Sequence, residues 1–150
     1  MRKMVLAALM VAAGTLQAAA ADRHCYSQAD LEAEQALLFQ TNLMVVSSAC
    51  RDSVYAEFRL RNKNAIIAYQ RAMIAHFRRE GFRNAQSQFD TWNTSLANQI
   101  ALKQGAMPTV QVCQQATEML KMASTLDPKG FHDYAVAHAA SDAEHPRCGR

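Results

Sequence analysis

Four cysteines constrain this chain more than any other feature. Cys25, Cys50, Cys113 and Cys148 are its full complement. Arg2 and Lys3 precede the apolar stretch "MVLAALMVAAGTLQAAAA", which ends in small residues at Ala18 to Ala21. That is the pattern of a secretory signal peptide covering residues 1–21, cut before Asp22. The uninterrupted apolar run is shorter than the ~20 residues of a spanning helix, so the mature chain is expected to carry no transmembrane anchor. Cys25 falls too far beyond that run for lipoprotein processing. An even cysteine count in an exported chain reads as a disulfide framework.

Residues 22–150 make one domain by length, with 141–150 as a C-terminal strap. Removing Arg2 and Lys3 takes the sixteen Lys and Arg to fourteen, against thirteen Asp and Glu, a net charge of +1. A nearly neutral chain lacks the strong basic field of nucleic-acid binding, so no nucleic-acid partner is expected.

Helical punctuation is dense. Ser27 stands three residues before Asp30, a start resembling a capping box, and good helix formers continue to Cys50. Asp52 or Ser53 starts a second segment, 54–80, closed by Gly81. Asn84 starts a third, stopped by Gly105. Pro108 opens a fourth, and Asp127-Pro128 caps a shorter fifth. Links of a few residues favour antiparallel neighbours. The fold expected is all-α: an up-down antiparallel bundle of four main helices plus a shorter fifth, stapled by disulfides. Phe89, Trp92, Leu96 and Ile100 line up as one core stripe, and Val112, Ala116, Met119, Ala123 and Leu126 as another.

Helix geometry ranks the cysteine pairings. Cys25 and Cys50 flank a helix of about 35 Å, too long for them to meet. An up-down bundle brings Cys50 and the first turn of the fourth helix to one end, which predicts Cys50–Cys113. Cys25 then pairs with Cys148 through the strap. His24 beside Cys25, and His145 three residues before Cys148, offer an alternative: a zinc site of His24, Cys25, His145 and Cys148. The spacing lacks a C-x2-C element, and no metal or other cofactor is part of the preferred reading.

Several polar residues fall on apolar helix faces. Arg59, Asn62 and Lys63 share a sector with Tyr55, Ile66, Met73 and Phe77. Gln35 and Asn42 share one with Leu31, Leu38 and Val45, and Asn93 sits beside Phe89 and Leu96. A buried amide needs a partner. One expectation is therefore a polar layer in which Arg59, Asn62, Lys63, Asn42 and Asn93 bind a small anion. The others are a closed amide network, or a helix break within "RLRNKN" that turns Arg59 to solvent.

No G-x-S-x-G, phosphate-binding glycine loop or C-x-x-C-H stands in the chain. His76, His132 and His138 lack H-x3-H spacing, and no catalytic residue is assigned. Eight cations against three acids between Arg51 and Arg83 read as a solvated face or a contact with an anionic surface. The functional expectation is a small exported, non-catalytic helical binding protein, periplasmic or else extracellular. Its partner would be a protein or envelope surface. A small-ligand binder is the alternative, and a hydrolase-type enzyme the third.

Overall fold

The computed structural model describes residues 24–149. The signal-peptide segment expected at 1–21 lies outside the described residues. Among the described residues there are seven helices: α1 Gln28–Cys50, α2 Val54–Arg61, α3 Lys63–Arg79, α4 Ala85–Gly105, α5 Thr109–Gln115, α6 Thr117–Thr125 and α7 Pro128–Ala140. Among the described residues no helix is long and apolar enough to cross a membrane.

The helix starts follow from their caps. Ser27 Oγ accepts from Asp30 N, and the Asp30 carboxylate accepts from Ser27 N, so the box closes in both directions. Asn84 caps α4 through Ser87 N, and Asp127 caps α7 through Gly130 N at 2.7 Å. Gly81 turns the chain after α3 at φ 95°, a conformation glycine tolerates at no steric cost.

The expected second helix is two. α2 ends and α3 begins at Asn62, which is fully buried. Its Nδ2 donates to Phe58 O and Leu126 O, both at 3.0 Å. The neighbouring Arg61 guanidinium donates to the carbonyls of Ala123, Ser124 and Leu126, closing the C-terminal end of α6. The break therefore exists to let two adjacent side chains reach the backbone of another helix. It leaves Arg59 and Lys63 exposed. The expected fourth helix is likewise divided, at Ala116, into α5 and α6.

α1 is central. Every other helix packs on it, which explains why its apolar residues do not keep to one stripe. Ala36, Phe39 and Leu43 join Phe58, Ile66, Ala123, Phe131 and Ala135 in one cluster. Ala33 and Leu37 join Met73, Phe77, Ala85 and Phe89 in a second. In the first cluster Phe58 meets Phe39 and Phe131 edge-on, with ring centroids 5.6 and 5.0 Å apart.

Both ends of α1 are stapled. Cys50 pairs with Cys113, and Cys25, just before the first turn, pairs with Cys148. The pairings are those expected from helix length. With both thiols oxidised, the zinc alternative at His24, Cys25, His145 and Cys148 loses its sulfur ligands and is discarded. After α7 the chain returns beside Tyr26: Tyr26 N donates to Pro146 O, and Cys148 N to Tyr26 O. Arg147 fixes the returning segment by donating to Ala139 O at 2.8 Å and to Gln28 Oε1.

Peptide mapping without reduction should yield Cys25–Cys148 and Cys50–Cys113 fragments and no Cys25–Cys50 fragment. In the loop-entropy model each bridge contributes at most about 4–5 kcal/mol. Reduction should accordingly lower the urea midpoint sharply. Asn62→Ala should cost about 1–2 kcal/mol in the same measurement, from the lost amide bonds.

Candidate functional site: a groove with an ionisable end

The polar layer expected from the sequence is dispersed. Asn62 serves the α2–α3 break, while Arg59 and Lys63 face solvent. Asn42 Oδ1 accepts from Gln104 Nε2 at 3.0 Å, and Thr41 Oγ1 reaches Asn93 Oδ1 at 3.5 Å. These last two contacts tie α1 to α4. Each amide is engaged separately, although Asn62 Oδ1 is buried without a hydrogen-bond partner, and the five residues do not converge on a shared ligand position.

What the α1 polar positions do instead is line a groove. Gln35, Leu38 and Asn42 form one strip of α1, spaced to share a helix face. Trp92, Leu96 and Ile100 of α4 flank it on one side, and Tyr134 and His138 of α7 on the other. Two cavities of about 640 Å³ each meet over Gln35, Leu38 and His138. The α4 stripe expected to be core is therefore only partly so. Phe89 is buried, but Trp92, Leu96 and Ile100 remain half-buried along the groove. The second expected stripe holds better, with Val112, Ala116 and Ala123 buried.

One end of the groove is ionisable, built where the C-terminal strap crosses α1. Glu34 projects from α1, and Asp142 and His145 from the strap. His145 lies between the two carboxylates: Nε2 is 3.4 Å from Glu34 Oε2, and Nδ1 is 3.1 Å from Asp142 Oδ2. Asp142 also accepts from the backbone N–H groups of Glu144 and His145. Burial pushes its carboxyl up, but these bonds outweigh it and hold the carboxyl below the usual range. Glu34 moves the other way. Its burial and the nearby Asp142 charge raise it against the opposing pull of His145, and its Oε2 is shut from solvent with no hydrogen-bond partner.

A second ionisable set lies behind the first. Asp30, only 2% exposed, accepts two bonds of 2.6 Å from Arg79 Nη2. Its Oδ2 also lies 3.5 Å from Nδ1 of the buried His76, whose Nε2 faces Glu80 at 3.6 Å. Burial alone would raise the Asp30 carboxyl, yet bonds from His76, Arg79 and Ser27 hold it well below the ordinary range. The Tyr26 ring separates the two sets, with centroids 4.2 Å from His76 and 4.3 Å from His145. Burial, and then the charges of Glu34, Glu80, Asp30 and Asp142, push its phenol far up.

These residues come from three distant parts of the sequence, 26–34, 76–80 and 142–145. The signal available was only that His145 and His24 adjoin the cysteines. In the folded chain His24 approaches Glu80 at 3.7 Å, and His145 turns toward Glu34 and Asp142. Comparison with family models, with curated proteins and with solved structures finds no match.

The Asp30 set is a stability device with a defined pH sign. A carboxyl depressed on folding contributes stability that is complete above its unfolded value, about 3.8, and lost as pH falls through the folded value. Asp30→Asn should therefore flatten the stability profile below pH ~4. At neutral pH it should cost about 2 kcal/mol, limited because Arg79 remains half in water. Acid titration of the near-ultraviolet circular dichroism measures both.

Proposed function

We propose that this chain is an exported, disulfide-stapled binding protein that holds a small, partly apolar ligand in the groove between α1, α4 and α7. The carrying observation is the stripe Trp92, Leu96 and Ile100, which stays half-buried beside Leu38 and lines the groove, although Trp92 also rests on the core rings of Phe77 and Phe89. An apolar stripe in partial contact with water gains by receiving an apolar ligand surface. The cavity size lies in the range of small-ligand sites, and convergent polar groups at one end would orient the ligand. Export is supported by two disulfides and by the leader-like composition of the first twenty-one residues.

A protein or surface partner finds less support. The most exposed large apolar side chains, Leu60, Leu102 and Val110, stand on three different helices. The polar layer of Arg59, Asn62, Lys63, Asn42 and Asn93 does not supply an anion site either, since its members are separately engaged or solvent-facing.

Extraction of the natively purified mature protein should release a small apolar or amphipathic molecule in near-equimolar amount. Trp92 is the chain's single tryptophan, so its emission should shift when that molecule is added back. Leu96→Asp should abolish the shift while leaving helicity intact. Purification with a stoichiometric protein partner and no small molecule would sink the proposal.

A further inference from the structure

We infer that the ionisable end of the groove is a binding site for one divalent transition-metal ion of the zinc class, held by Glu34 and His145 and positioned by Asp142. A suitable set of ligand atoms from these three residues lies within 4.8 Å of one another. The His145 Nε2–Glu34 Oε2 separation, 3.4 Å, is long for a charge-assisted hydrogen bond. It matches the edge of a tetrahedron with metal–ligand bonds of about 2.0–2.1 Å, which is roughly 3.3–3.4 Å. An ion seated between those two atoms would give the buried Glu34 Oε2 the partner it lacks.

The rest of the arrangement suits such an ion. Both Asp142 oxygens lie within 3.2 Å of His145 Nδ1. A carboxylate there favours the proton on Nδ1 and leaves the Nε2 lone pair for the metal. Asp142 is itself fixed by two backbone N–H groups and lies close to Gln35 Nε2. The strap carrying both residues is anchored by the Cys25–Cys148 bridge and by Arg147. A metal-bound imidazole is neutral, so with an ion in place the two carboxylates would give the site net negative charge, which favours a dication. Mixed oxygen and imidazole donors suit zinc better than calcium or magnesium, which favour all-oxygen shells. The cleft side stays open, so water or a donor atom of the groove's ligand would complete the coordination.

The inference adds a metal to the groove reading but is tested without any organic ligand, so the two can fail separately. Untagged mature protein should bind one equivalent of Zn²⁺ in isothermal titration after chelator treatment. Glu34→Gln and His145→Ala should each abolish that binding. Asp142→Asn should weaken it roughly 10–100-fold, the usual consequence of losing a carboxylate that orients a metal-bound histidine. His24→Ala should leave it unchanged. Glu34→Gln is nearly isosteric, and retention of both disulfides with unchanged circular dichroism would verify its fold. No zinc binding by the wild type would overturn the inference. So would undiminished binding by Glu34→Gln, or loss of binding only in His24→Ala.

Discussion

The fold depends on fixing α1 at both ends. This 23-residue helix is the surface on which every other element packs. Cys50–Cys113 ties its C-terminal end to α5, and Cys25–Cys148 ties its approach to the strap. Between those ties α1 presents three strips with different duties. Two feed separate apolar clusters, and the third, with Gln35, Leu38 and Asn42, stays on the groove. A helix surrounded on most sides needs no strong amphipathic pattern, because little of it meets bulk water.

The crosslinks and the helix starts at Ser27, Asn84 and Asp127 were legible because they rest on local rules, whereas the division at Ala116 was not. Caps at Ser27, Asn84 and Asp127 act over three residues, and the impossibility of Cys25–Cys50 follows from helix length alone. The break at Asn62 was open to two readings, since an amide on an apolar face signals only that a partner exists. Its partner, Leu126 O, lies 64 residues away. Arg61, which joins the three carbonyls closing α6, had no local signal at all. The ionisable cluster was illegible for a related reason. Glu34, His76, Asp142 and His145 become neighbours only when the strap crosses α1, and no spacing rule connects them. The α4 stripe misled in a useful direction: a helical apolar repeat looks the same whether its neighbour is a core or a groove.

The two ionisable sets differ in how completely they are satisfied. Asp30 has short bonds from Arg79 and Ser27 that hold its charge, with His76 Nδ1 farther off at 3.5 Å. Such a group can anchor structure despite its burial. Glu34 has one imidazole at a long distance and a like charge nearby. Tyr26 stands between them as an apolar partition with histidine on either side. The better-bonded carboxylate lies inside, joining α1 to α3 beside a His76 Nε2 that has no hydrogen-bond partner, and the underbonded one opens toward the groove. That division separates a structural role from the proposed binding one.

The Cys25–Cys148 link spans 123 residues, nearly the whole described chain. In an unfolded chain Cys25 would meet Cys50 more often than Cys148, because shorter loops close more readily. Once α1 has formed, that short-range pairing is sterically impossible. The order of events therefore matters: helix formation on a microsecond scale precedes thiol oxidation, which takes seconds or longer. The rigidity of one helix thus acts as a proofreading ruler for the crosslinks. The strap, and with it the end of the groove, is completed only after the segment carrying Cys148 has arrived.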